Sequence, residues 1–276
     1  MQRKLGIVAS CLDGVSELDA LKKIKDAGFE TFFTGAYKND DVRAIKGRAD
    51  ELGLKYEFIH APFRGINQMW MPGVGYDKIF GQMKESIDSA SNNGVPTVIT
   101  HVSSGWHPPQ VNDLGLSRYD ELVLYARDRG VVLAFENLRL LGNLACLVDR
   151  YEGMDNVRFC FDCGHEHCYT KTVSLLDVFT TRVCCTHIHD NHGRAFDDKS
   201  NDFDEHLLPF DGIIDWQDAT NRLKRENYQG DLTLELCLQS KPNRNDNDKY
   251  QKMPFNEYIK SAYERAEKIR KMIDNN

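Results

Sequence analysis

The chain has 276 residues, 41% of them hydrophobic, which suits one large α/β unit with a sizeable core. Its formal net charge of −7 argues against a protein built to neutralise many nucleic-acid phosphates. It enters a strand almost at once and has no apolar stretch long enough for a signal peptide or membrane span. With eight cysteines, several of them inside strand-like runs, it reads as a reduced cytoplasmic protein.

Strand-like and helix-like segments alternate along the chain. Residues 4–9 and 29–33 are the first two strands. Between them Val15, Leu18, Leu21 and Ile24 have helical spacing, and the helix over 15–27 stops at Gly28. A helix over 40–52, ended by Gly53, leads to the third strand, 54–60 (LKYEFIH). Helix 76–93 stops at Gly94 before strand 97–101 (TVITH), and helix 117–129 stops at Gly130 before strand 131–136 (VVLAFE). Helix 143–151, strand 157–162 (VRFCFD), helix 172–181, strand 183–187 (VCCTH), helix 215–227, strand 232–235 (LTLE) and helix 254–273 complete eight strands with eight helices. This alternation predicts a parallel sheet closed as a (β/α)8 TIM barrel, one domain over residues 1–276.

Three connections on the strand-end side are long: 61–75, 102–115 and 190–212. They carry Trp70 and Trp106, expected to be exposed as an apolar wall for a sugar ring; simple cover for the barrel mouth accounts for each equally well. Cys160 and Cys163 have C-x-x-C spacing, but strand alternation puts them on opposite faces, which disfavours a zinc or redox pair.

The strand ends carry the chemistry. Successive runs finish in His60, His101, Glu136, Asp162 (with His165 just after), His187 and Glu235. A lone glutamate at a strand end is more often a salt-bridge partner, and a lone buried histidine more often a hydrogen-bonded core residue. Six successive ends of this kind point to one converging site, at the C-terminal face of a barrel. Glu136, Asp162, His187 and Glu235 form an oxygen-rich set suited to one divalent ion, Mn2+, Co2+, Mg2+ or Zn2+. Such an ion polarises a carbonyl and its neighbouring hydroxyl. Glu136 and Glu235, on either side of a substrate, would take a proton from carbon and return it at the other carbon or face. His187 and His189 share a strand face, one as ligand and the other as a substrate or supporting group.

The segments HAPF at His60, THVSSG at His101, AFENLR at Glu136, FDCGH at Asp162 and His165, HIHDN at His187 and EHLLPFDGIIDW at His206 resemble the xylose isomerase-like barrel superfamily. That superfamily holds sugar isomerases, 3-epimerases, inosose dehydratases and endonuclease IV-type repair enzymes, and the resemblance covers nearly the whole chain. It implies a metal quartet of Glu136, Asp162, His187 and Glu235, with Glu136 and Glu235 catalytic. It implies substrate contacts from His60, His101, His165, His189, Arg194, His206 and, in the mouth, Trp70. The implied activity is a divalent-metal-dependent isomerase or epimerase of a sugar or sugar derivative, working through an enediolate, with a dehydratase or lyase as a close variant. The partner is then a small carbohydrate, with no membrane, and a homo-oligomer is common among such barrels.

Two departures stand out. Asn137 and Arg139 follow Glu136 where free-ketohexose epimerases often have a second Glu, and Phe210 and Asp211 interrupt the H-x-x-P-G-x-G stretch of the sugar enzymes. The alternative is an endonuclease IV-type phosphodiester hydrolase with three zinc ions. His60, His101, Glu136, Asp162, His165, His187, Asp204, His206 and Glu235 match its nine ligand places. The acidic balance and the lack of a Lys/Arg-rich loop weigh against a nucleic-acid partner. A noncatalytic binding protein on the same fold is a third reading.

Overall fold

Eight strands follow one another in chain order: β1 (Leu5–Val8), β2 (Thr31–Thr34), β3 (Lys55–His60), β4 (Thr97–Thr100), β5 (Val132–Glu136), β6 (Val157–Asp162), β7 (Val183–His187) and β8 (Leu232–Leu234). They belong to a computed structural model that describes residues 2–11, 14–170, 172–195, 198 and 203–274. The middle of the long 190–212 connection lies outside the described residues. From β1 to β7 each strand pairs in parallel with the next, and β1 pairs in parallel with β8. A parallel bridge between Ile188 and Leu234 brings β7 against β8. There Ile188 N donates to Thr233 O at 2.9 Å and Glu235 N to Ile188 O at 3.1 Å. The result is a (β/α)8 barrel.

The helices are α1 (Glu17–Ala27), α2 (Asn39–Leu52), α3 (Asp77–Asn92), α4 (Asp113–Asp128), α5 (Gly142–Arg150), α6 (Cys163–Tyr169), α7 (Leu175–Phe179), α8 (Trp216–Arg225), α9 (Asp248–Gln251) and α10 (Phe255–Asp274). Ser16 caps α1 by accepting from Asp19 N, and Gly28 ends it at φ 108°. Any side chain at Gly28 would also meet the Tyr263 ring, at 2.9 Å from its Cβ. Strands such as β1 and β2 are buried along their whole length, as parallel strands covered by helices must be. No described helix is long and apolar enough to cross a membrane.

The structure corrects several expectations. The single helix over 172–181 is replaced by the short α7 and a 3-10 turn at Thr180–Arg182, and an additional helix, α6, precedes them. Helix α6 starts early because Asp162 is its N-cap, Oδ1 accepting from His165 N at 2.6 Å. Helix α4 begins at Asp113, four residues before the expected start, because Asn112 accepts from Gly115 N. Trp70 is not exposed. It is 2% accessible, its Nε1 donates to Val102 O at 2.7 Å, and a Cβ on Gly115 would lie 2.0 Å from its ring. Trp70 therefore ties the loops after β3 and β4 together, and a buried indole has no face left for a substrate. All eight cysteines are free, and Cys163 opens α6 with its thiol on His189 O at 3.5 Å.

The floor of the barrel holds one acid. The β2–β3 register passes from Phe32↔Tyr56 to Phe33↔Phe58, so Glu57 is an extra, bulged residue. Its buried carboxyl accepts from Thr31 Oγ1 at 3.2 Å and Thr233 Oγ1 at 2.6 Å. Gly6 makes room for both hydroxyls, since its Cβ would stand 2.2 Å from Thr31 Oγ1.

Candidate metal centre

The strand-end residues meet as the alternation of strand and helix requires. His60, Glu136, Asp162 and His187 are the last residues of β3, β5, β6 and β7, and His101 and Glu235 stand one step past β4 and β8. His165 lies in the first turn of α6, His189 two residues past β7, and Asp204 and His206 in the β7–α8 connection. They form three groups, and within each the ligand atoms lie within 4.8 Å of one another: Glu136, Asp162, His187 and Glu235; His60, His101 and Glu136; and His165, His189, Asp204 and His206. Glu136 belongs to two groups. Its Oε1 accepts from His187 Nδ1 at 2.9 Å, and its Oε2 from His60 and His101 Nε2, each at 3.1 Å. The Glu235 carboxylate stands 3.3 Å from His187 Nδ1 and, at 18% side-chain exposure, faces the mouth more than any other member of the quartet.

The imidazoles are oriented from behind. Nδ1 donates to a backbone carbonyl in His60 (Ala61 O), His165 (Asn137 O) and His206 (Glu235 O), each at 2.9 Å. This fixes the ring and turns Nε2 toward the carboxylates, the arrangement that prepares a histidine to bind a cation. His101 Nδ1, His187 Nε2 and His189 Nδ1 are buried without a hydrogen-bond partner. Positive φ at His206 (51°) places its ring 4.1 Å from that of His189, nearly parallel at 14°.

Electrostatics agree with this. Burial works against charge throughout, and the histidines and acids answer it by sharing protons. Burial pushes the Glu136 carboxyl up, but His187 and His101 outweigh it and hold it well below the usual range. Asp204 is likewise held well below its usual value by His206 and His165 against burial. Burial pulls His187 and His206 down, yet Glu235 with Glu136 brings His187 to about 9, and Asp204 brings His206 to about 10. His101 is the exception, lowered chiefly by burial. The carboxylates thus draw protons onto imidazoles whose positions suit a cation. The donor set and the shared ligand atoms fit a divalent metal.

Two positioning residues escaped the sequence analysis. Asn137 donates to Asp162 O and accepts from Asp162 N, both at 2.8 Å, while its own carbonyl holds His165. Asp190 accepts from Asn191 N, Ile214 N, Phe210 N and Trp216 Nε1 at 2.8–3.1 Å, fastening the segment that carries Phe210 and Asp211. Only the adjacency of each to a strand-end ligand hinted at these tasks. Arg194 is engaged by backbone carbonyls and an aromatic ring. Its guanidinium donates to the carbonyls of Ala195, Asp198 and Tyr169 and lies 4.3 Å over the half-buried Trp106 ring. Two aromatic rings flank the histidines instead: Tyr169 stacks on His165 at 5.5 Å, and Phe63 on His101 at 4.4 Å.

Comparison with known proteins agrees with this architecture. The protein y4fM of Sinorhizobium fredii is 31% identical over 170 residues, 56% of this chain and 52% of that protein, so the match spans about half its length. A xylose isomerase domain protein from Planctomyces limnophilus superposes with a TM-score of 0.77 at 19% identity, covering 100% of both chains. D-Psicose 3-epimerase from Clostridium cellulolyticum superposes with a TM-score of 0.76 at 15% identity, covering 98% of this chain and 99% of that one. The family described as xylose isomerase-like TIM barrel matches residues 21–253. With its barrel and converging strand-end side chains in place, the chain belongs to the xylose isomerase-like TIM barrel family.

Proposed function

We propose that this protein is a divalent-metal-dependent isomerase or epimerase of a sugar or sugar derivative. The observation that carries the reading is the meeting of the Glu136 and Glu235 carboxylates at His187 Nδ1, 2.9 and 3.3 Å away, within the buried quartet completed by Asp162. Glu136, Asp162, His187 and Glu235 would hold the metal, which when bound supplies Lewis-acid polarisation of a carbonyl and its neighbouring hydroxyl. Glu235, the more exposed acid, is placed to take the proton from the carbon beside the carbonyl. The substrate electrons then delocalise as an enediolate, and a proton passed from the His60 imidazolium to Glu136 would be returned at the other face or carbon, His60 being reprotonated from water. His60, His101, His165, His189 and His206 would donate hydrogen bonds to substrate oxygens. Apart from proton exchange with water, no atom is gained or lost, as isomerisation requires. The resemblance of the fold to D-psicose 3-epimerase supports the substrate class.

The test is solvent exchange. The protein supplied with Mn2+ or Co2+ is incubated in D2O with a panel of ketoses, sugar acids and inososes, and deuterium incorporation is followed by NMR. Incorporation next to the carbonyl in at least one substrate, lost in Glu235→Gln, supports the reading; none across the panel counts against it.

One observation favours a second reading. The groups His60–His101–Glu136 and His165–His189–Asp204–His206 adjoin the quartet, with Nδ1 of His60, His165 and His206 pinned by backbone carbonyls as in metal-binding histidines. Three occupied groups would suit a phosphodiester hydrolase, in which clustered ions stabilise the attacking and leaving oxygens. Cleavage of duplex DNA carrying an abasic site by zinc-loaded protein would favour it over the first.

A further inference from the structure

The group made by His165, His189, Asp204 and His206 differs from the other two in one respect: a lysine reaches into it. Lys241 Nζ stands 3.2 Å from Asp204 Oδ2. The same oxygen faces His206 Nε2 at 3.0 Å and His165 Nε2 at 3.3 Å, so three nitrogens converge on one carboxylate oxygen. Among the described residues no other Lys or Arg forms an ion pair with an acid of the three groups. The described partners of Glu136, Asp162 and Glu235 are histidines.

The backbone holds the ammonium in this place. The connection between β8 and α9 is fastened on both sides of Lys241. Ser240 Oγ donates to Asp248 Oδ1 at 2.8 Å and accepts from Asn247 N at 2.9 Å, and Lys241 O accepts from Arg244 N at 3.0 Å. The buried Asn247 donates through Nδ2 to Gln239 O at 3.2 Å and to Glu205 O at 3.0 Å. It thereby ties the loop of the lysine to the residue beside Asp204. Arg244 adds a second tie, to the Glu205 carboxylate at 3.4 Å.

The consequence is electrostatic. A divalent ion bound to Asp204 Oδ2 at about 2.1 Å would lie within about 5 Å of the ammonium, closer than salt can screen. Asp204 is buried, so water weakens that repulsion little. We propose that Lys241 sets the metal count of this protein: its ammonium takes the place of a divalent ion in the His165–His189–Asp204–His206 group, leaving Glu136, Asp162, His187 and Glu235 as the strong metal site. The proposal rests on the single-metal sugar reading above and names the residue that keeps the Asp204 group closed.

Zinc titration of the full chain tests it, by calorimetry together with elemental analysis of the dialysed protein. Lys241→Met, and Lys241→Gln as a second neutral variant, should bind one more equivalent of zinc than the wild type, or bind it at least about tenfold tighter. Adding Asp204→Asn to either variant removes the gain, and Lys241→Arg, which keeps the charge, shows none. Equal zinc count and affinity in the wild type and both neutral variants overturns the proposal; a single equivalent lost in Asp162→Asn would then still uphold the single-metal reading. A gain in Lys241→Arg as large as in Lys241→Met also overturns it, because the charge would not be the cause. Wild-type protein that already holds a zinc released by Asp204→Asn overturns both and moves the account to the clustered-metal hydrolase. Zinc bound by neither the wild type nor any variant likewise overturns both.

Discussion

The two ends of this barrel treat buried acids in opposite ways. At the N-terminal end the Glu57 carboxyl is satisfied by two hydroxyl donors, Thr31 and Thr233, in a space that Gly6 keeps open. At the C-terminal end Glu136, Asp162, Asp204 and Glu235 crowd together with six histidines, and three of the imidazoles keep a buried nitrogen without a partner. Burial raises the pKa of the lower acid, and the two hydroxyls and the nearby Lys55 only moderate the shift. The upper acids leave a demand for positive charge that protons on His187 and His206 meet in part. A closed polar group serves the fold, whereas a group of acids and oriented imidazoles with shared ligand atoms is prepared for something that binds.

The largest break in this comparison should come at Glu136. Glu136→Gln removes a carboxylate shared by two ligand groups, and solvent exchange should fall by about a thousandfold or more with loss of bound metal, read by NMR and elemental analysis. Normal exchange in this variant would show that Glu136 is only structural. Trp70→Ala separates structure from chemistry within the same end. It empties a fully packed site, so it should cost about 3 kcal/mol in chemical denaturation while leaving the metal content of the folded fraction intact. His165→Ala should weaken substrate binding about tenfold with the quartet still loaded; loss of all metal would place His165 among its essential ligands.

The smallest effect belongs to the lower end. Burial raises the folded pKa of Glu57, so its contribution to stability is fully present below the unfolded value of about 4.3. That stability is lost as pH rises through the folded value. Glu57→Gln should therefore raise Tm more at pH 8 than near pH 4. An equal gain at both pH values would mean that the buried carboxyl does not titrate as described.

The strands and the meeting of Glu136, Asp162, His187 and Glu235 could be read from sequence because each of the four ends its own apolar run, and a parallel barrel turns that linear pattern into one cluster. Glycines at 28, 53, 94 and 130 marked helix ends for the same local reason. Features resting on contacts distant in sequence could not be read. Asp162 is both a candidate ligand and the cap of α6, so the strand pattern hid the helix that follows. Trp70 looked like an exposed loop aromatic until Gly115 and Val102 O came around it from another loop. Nothing in the sequence marked Arg118 on α4, and only the folded chain shows four carbonyls converging on it.

Metal content tests the central claim most directly. Protein purified without an affinity tag or chelator, and assayed by elemental analysis, should carry or take up close to one tightly held equivalent of manganese, cobalt, magnesium or zinc. That equivalent should disappear in Asp162→Asn. Close to three equivalents of zinc would shift the account to the clustered-metal hydrolase. Protein that is metal-free and fails to bind any added divalent ion would contradict the account outright.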